Sequence, residues 1–382
     1  MILSRNYARS LQLIAELRAP FVNKLRPYIE PGNLVTIVFL AISYFFVGKI
    51  GLHGTTPSHS VTAIWLPAGI SLAAILLRGY RAWPGHFLGS FLLSVTLTHS
   101  LLFSSGLAVA NTLEVLVAAF LVNKYANGIN AFFRTRDVLR FVISAAIIAP
   151  ALCATLGVGL LCLDGLAPVA DFPALWFVWW VGDMLGVLFL TPFLVLLLGH
   201  KHHSIGLAEP LEVTALITGL SIMCVLNFGH SPMPWIPQNG LLFLCAPFLA
   251  WSALRFCPLE AAGATFVMGG FAVWGSLHGL GPFQNSMGLP LFVGAFLALG
   301  TAITITVAAA SAEQKDATRD ALGMYCVLKD VKEGEIRVLQ DTVEALQIEL
   351  AMKGSRRTGG SSREVMPPAG VPVPANLDGQ IP

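Results

Sequence analysis

The stretch PALWFVWWVGDMLGVLFLTPFLVLLL, Pro173 to Leu198, holds a single charged side chain, Asp183, in a run long enough to cross the roughly 30 Å hydrocarbon core of a bilayer. In hydrocarbon each backbone amide must bond within its own segment, so the stretch reads as a membrane-spanning helix. Further apolar stretches of near membrane length flank it: Leu34–Gly51, Val61–Leu77, Pro84–Phe103, Leu107–Val122, Val138–Leu163, Leu211–Phe228, Leu241–Phe256, Ala261–Leu277 and Leu291–Ala310. The expected fold is therefore all-α: a polytopic helical bundle of about ten transmembrane helices, followed by a short cytoplasmic helix or coiled coil.

The segments between the stretches alternate in charge. One set carries Arg78 and Arg81, then Lys124, Arg134, Arg136 and Arg140, then Lys201, then Arg255, with Lys315 and Arg319 after the last stretch. The other set, around Thr55, Thr98, Asp164, Ser231 and Gln284, has no Lys or Arg. Basic loops stay on the cytoplasmic side, so both termini are expected there. Composition agrees: 55% of the residues are hydrophobic and only 12% charged, about half the charge of a soluble domain. A net charge of +2 offers no concentrated basic patch, which argues against a nucleic-acid partner.

Four segments follow. Residues 1–32 form a basic segment in which Leu3, Tyr7, Leu11, Ile14, Leu17, Phe21, Leu25 and Tyr28 recur at helical spacing, as in a helix lying on a membrane surface. Residues 33–310 are the membrane domain. In 311–352, Ile336, Leu339, Val343, Leu346 and Leu350 follow the three-four spacing of a coiled-coil seam, too short to dimerise strongly without the membrane domain. Residues 353–382 are rich in Gly, Ser and Pro and are expected to be disordered. Of six cysteines, Cys153, Cys162, Cys224, Cys245 and Cys257 fall in or beside apolar stretches, and Cys326 lies after them. They show no metal-site spacing, so they read as small core residues; no metal and no cofactor is expected.

Six strings inside the membrane region, IWLPAGI (64–70), WPGHFLG (83–89), NTLE (111–114), GDMLGVLFLTP (182–192), ALRF (253–256) and WGSLHGLGPF (274–283), resemble those of the membrane-associated sensor domains called MASE1. They stand in the family's order and together cover most of the region. The resemblance implies a sensory domain of a bacterial inner membrane, of the kind found ahead of histidine kinases and diguanylate cyclases. Cys257 departs from the family's Gly after the Arg-Phe pair. The larger departure is in residues 311–382, which hold no GGDEF-like string, phosphoacceptor His or nucleotide box. No enzymatic activity is therefore expected. Signalling output is expected in trans, through a histidine kinase or diguanylate cyclase, with a homodimer as a further expected state.

Charged side chains within a span are costly, so each is a candidate site. Glu114 and Asp183 stand out, about seven and ten residues below the outer ends of their stretches, or roughly 10 and 15 Å at the helical rise. Asn111 shares a helix face with Glu114. Trp65 and Trp274 belong to the quoted strings, whereas Trp176, Trp179 and Trp180 read as an interfacial belt. The expected ligand-binding set is thus Asn111, Glu114, Asp183, Trp65 and Trp274, with Lys49 as a compensating charge; the competing expectation is that each carboxylate is structural and paired with a donor. His200, His202 and His203 read as a solvated loop. Mid-membrane carboxylates and Gly/Pro-interrupted helices also fit a secondary transporter, but no inverted repeat is visible between the two halves.

Overall fold

The computed structural model describes residues 30–53, 64–199, 209–229, 242–278, 280 and 288–357. Of these, 93% are helical and none is in a strand, which settles the all-α class. The amphipathic segment expected before residue 30, the histidine cluster at 200–203 and the tail beyond residue 357 lie outside the described residues.

The helices are α1 (Pro31–His53), α2 (Leu66–Arg78), α3 (Trp83–Thr98), α4 (Leu101–Tyr125), α5 (Thr135–Phe141), α6 (Ala149–Leu163), α7 (Phe172–Gly199), α8 (Glu209–Phe228), α9 (Ala246–Arg255), α10 (Pro258–Leu277) and α11 (Gly288–Arg357). Proline opens many of them: Pro31, Pro67, Pro84, Pro173, Pro210, Pro247 and Pro258 stand in the first turn, where the missing N–H would have had no intrahelical partner. α5 and α6 are joined by a π-helical segment, Val142–Ile148. Pro150 cannot donate to a carbonyl in the turn before it, and the Ala149 N–H bonds Ser144 O, five residues back.

Each of the ten apolar stretches contains one of these helices or helix pairs, but six helices among the described residues are long and apolar enough to cross a membrane: Pro31–Leu52, Leu101–Tyr125, Thr135–Leu163, Val169–Gly199, Pro210–Phe228 and the helix holding Val293–Met352. The protein is thus a multi-pass membrane protein. Its helices show it on their outer faces too: α1 turns Leu34, Val35, Val38, Phe39, Ile42, Phe46 and Ile50 outward, where a soluble helix would carry charge.

Two boundaries differ from the sequence expectation, and both move the site. The third stretch was expected to run to Phe103, yet α3 ends at Thr98. His99 takes a left-handed φ of 55° and the Ser100 side chain caps the Phe103 N–H, so α4 starts at Leu101. The second stretch was expected to be helical from Val61, yet Ile64 and Trp65 are non-helical and α2 begins only at Leu66. Its 13 residues rise about 20 Å, so a helix ending at Arg78 starts well inside the bundle.

α2 packs against α7 with the two backbones in close contact. A Cβ on Gly186 would overlap the Trp65 carbonyl, and one on Gly69 would overlap the Gly186 carbonyl. Only glycine permits this contact. The Trp65 N–H donates to Gly182 O at 2.8 Å and the Thr191 hydroxyl to Gly69 O at 3.0 Å, tying both ends of the seam.

The chain divides into two compact units, Met1–Asp316 and Ala317–Pro382. The division falls beyond the expected edge at Ala310 because Ser311, Glu313 and Lys315 still bond helices of the first unit. In the second unit the described residues are helical, with Ile336, Leu339, Val343, Leu346 and Leu350 all exposed. Helix continues through Gly323, Gly334 and Gly354 to Arg357, past the expected end of order at residue 352.

Candidate functional site

Three helices bring one titratable side chain each to the same point. Glu114 lies at the middle of α4, Cys153 follows the π segment on α6, and Asp183 lies near the middle of α7, three residues before Gly186. A carboxylate oxygen of Glu114, Cys153 Sγ and a carboxylate oxygen of Asp183 lie within 4.8 Å of one another. All three residues are buried, Asp183 to 1% exposure.

A fourth donor is aimed at them. The Asn111 amide spends its hydrogens on Ser90 Oγ (2.8 Å) and Tyr44 Oη (3.2 Å), so its oxygen faces Cys153, whose thiol donates to it at 3.1 Å. In this arrangement the two hydroxyls accept from the amide nitrogen and the thiol donates to the amide oxygen. Asp183 Oδ2 has no hydrogen-bond partner, an expensive state for a buried polar atom.

A cavity of about 110 Å³ adjoins the cluster, with Asp183, Gly182, Asn111, Ser90 and Tyr44 at its polar end and Trp65 and Trp179 as aromatic walls. Leu52, Leu97 and Leu107 line its other end. These three lie near the end of α1, the end of α3 and the start of α4, so the cavity leads toward the side whose connecting segments lack Lys and Arg.

The structure brings together Asn111, Glu114, Asp183 and Trp65. Trp65 packs edge-on to Tyr44 at 6.2 Å. Trp274 lies elsewhere: on α10, 40% exposed, packed against Phe271 and His278. Lys49 is turned away, its amine on Thr96 Oγ1 at 3.4 Å and over the Phe45 ring. Among the described residues no Lys or Arg forms an ion pair with Glu114 or Asp183.

Tyr44, Ser90, Cys153 and Trp179 were not expected in the site. Each looks like an ordinary core or interface residue in its own stretch, and only the packing of five helices gathers them. Cys153 is a small buried residue, as expected, and also the hinge of the polar cluster. His86 is buried on α3, edge-on to Tyr44 at 4.9 Å with neither ring nitrogen bonded. Trp176 and Trp180 do not form a free belt: their indoles donate to Thr155 Oγ1 and Ile147 O at 2.9 Å, pinning α7 to α6 and to the π segment.

Residues 36–315 match the family model described as MASE1. No curated protein and no solved structure matches the chain.

Proposed function

The chain belongs to the MASE1 family of membrane-associated sensory domains, and on that premise we propose that it detects a ligand in the Asn111–Glu114–Asp183 site and passes the change to a cytoplasmic output in trans. The observation that carries this reading is the convergence of buried carboxylates, an unpartnered Asp183 Oδ2 and a cavity in one place. A bundle built only for packing has no use for these groups there.

A route for the change is also present within the first unit. Cys153 and Thr135 belong to the same run of helix, Thr135–Leu163. The Thr135 N–H and hydroxyl donate to Glu313 Oε2 on α11 at 3.4 and 3.3 Å, while Lys315 on the same helix donates to Arg255 O at 3.1 Å. A shift of α6 at the site is therefore felt at the last span, ahead of the exposed seam from Ile336 to Leu350. The output partner is a histidine kinase or diguanylate cyclase, and the seam is where two copies would meet. The host membrane is a bacterial inner membrane, with about ten crossings and both termini inside. Reporter fusions active only outside should respond after Ser58, Asp164 and Gln284; activity after Lys201 reverses the topology.

The deciding experiment replaces Asp183 by Asn and Glu114 by Gln, removing charge and keeping shape. Partner output should be lost or locked while protein level in the membrane stays normal. Normal output from both variants would make the carboxylates structural. A secondary transporter is the second reading, favoured by α2 starting inside the bundle beside the site, as broken helices do in that class. Ligand uptake into proteoliposomes would establish it.

A further inference from the structure

We propose that the ligand of this site is a divalent transition-metal ion of the zinc class, bound by Glu114, Cys153, Asp183 and the amide oxygen of Asn111. The inference deepens the sensory reading and rests on it for the metal's role, though not for its binding.

The donor set is the first argument. Two carboxylates and one sulfur from three helices converge on one buried cluster, and the amide oxygen of Asn111 reaches the sulfur. Zinc-like ions take four such ligands at about 2.0 to 2.3 Å, which sets the ligands roughly 3.4 to 3.8 Å apart. The carboxylate and thiol atoms lie within 4.8 Å of one another and Asn111 Oδ1 is 3.1 Å from Cys153 Sγ, so small rotamer changes close the shell.

Two of these groups are also placed for a ligand by their surroundings. Asp183 Oδ2 is buried and unpartnered, and its residue lines the cavity. The Asn111 oxygen is held toward the site because its nitrogen is anchored on Ser90 and Tyr44. No ion pair with Lys or Arg reaches the two carboxylates among the described residues, so a bound cation is the compensation the site lacks.

The identity of the ion follows from the ligands. Magnesium and calcium require six or more hard oxygen donors, and sulfur is a poor ligand for either. Cuprous ion favours sulfur alone, and two carboxylates count against it. A borderline divalent ion fits the mixture. Binding forms four metal–ligand bonds and breaks the thiol S–H bond, so uptake should release a proton to solvent.

Cobalt(II) is the probe, because it takes zinc sites and its bond to a thiolate absorbs in the near ultraviolet. The full chain, purified in detergent and stripped with chelator, is titrated with Co²⁺ and then Zn²⁺. The expected result is one Co²⁺ per chain with a thiolate-to-cobalt band, displaced by Zn²⁺. The band should vanish in Cys153→Ser, persist in Cys224→Ser, and form with at least tenfold weaker affinity in Asp183→Asn and Glu114→Gln. Cys224 is the control because it is a buried thiol outside the cluster, paired with Cys245. If Cys153→Ser does not reach the membrane, the two carboxylate variants decide. No band in the parent protein, or a band that survives Cys153→Ser or is lost in Cys224→Ser, overturns the proposal. Absent metal binding with output lost in Asp183→Asn leaves a sensory site for another ligand. Metal binding with normal output in Asp183→Asn keeps the metal site and removes the sensory role.

Discussion

From α1 to α7 several buried polar groups reach across helices, although Thr112 and Ser144 bond their own; from α8 to the α11 span they mostly reach back to their own. In the first region Asn111 bonds Ser90 and Tyr44, Thr191 bonds Gly69, and Trp180 bonds Ile147, each on another helix. In the second, Asn227 bonds Met223 O, Ser252 bonds Leu249 O, Thr265 bonds Ala262 O and Thr304 bonds Gly300 O, each within three or four residues, and only the Asn227 amide among these also reaches another element, at Cys245 Sγ (3.6 Å). Among the described residues the buried carboxyl groups and the buried imidazole, those of Glu114, Asp137, Asp183 and His86, all lie in the first region. In the second the buried polar residues are Asn227, Ser252, Thr265, Thr301 and Thr304.

The difference separates two ways of holding helices together in a medium that supplies no hydrophobic drive. Cross-helix bonds fix relative positions and leave donors aimed at a point, at the cost of burying polar atoms. Own-helix bonds merely hide polar atoms, and packing is left to shape, as where Gly219 meets Phe248 and Gly269 meets Phe189. A site can be built only by the first method.

The largest test of this contrast is glycine to alanine. Gly186→Ala places a methyl on the Trp65 carbonyl and should destabilise the detergent-solubilised protein by up to about 3 kcal/mol. Gly270→Ala, in open space on α10, should be neutral or gain up to about 1 kcal/mol in helix propensity. Equal melting shifts would erase the distinction between the two regions.

Next in size is the pair of asparagines. Asn111→Leu strands Tyr44, Ser90 and Cys153 and should cost about 2 kcal/mol, at roughly 0.6 per membrane hydrogen bond. Asn227→Leu should cost about 1 kcal/mol or less, since its amide mainly satisfies its own helix. A larger loss at Asn227, read by thermal melting, would mean that the second region also depends on polar bonds.

Smaller again is Thr191→Val, which removes the bond to Gly69 O from the α2–α7 seam and should cost about 0.6 kcal/mol. The smallest effect is expected at Thr301, whose buried hydroxyl has no partner. Thr301→Val should leave the melting temperature unchanged or raise it slightly, because a buried unbonded hydroxyl only costs. A clear drop there would show a bond formed by Thr301 in the membrane.

The sequence by itself determined the all-α class and the membrane setting, because apolar runs near bilayer length admit no other backbone solution in hydrocarbon. It also singled out Asn111, Glu114 and Asp183, since a polar or charged side chain inside such a run is rare enough to stand out alone. Trp274 was chosen on the same linear evidence as Trp65, and packing alone separates them: one lines the cavity and the other lies 40% exposed on α10. The late start of α2 and the turn at His99 were equally hidden, because both depend on which backbone groups find partners in neighbouring helices. Cys153, Ser90 and Tyr44 carry no signal in their own segments, being residues that any apolar helix accepts. Their meeting at Asp183 was decided by the tertiary structure, through the approach of α2 and α7 at Gly69 and Gly186 and the pinning of α6 by the α7 tryptophans. Distances between helices are set by pairs of surfaces, and no single stretch of sequence contains both.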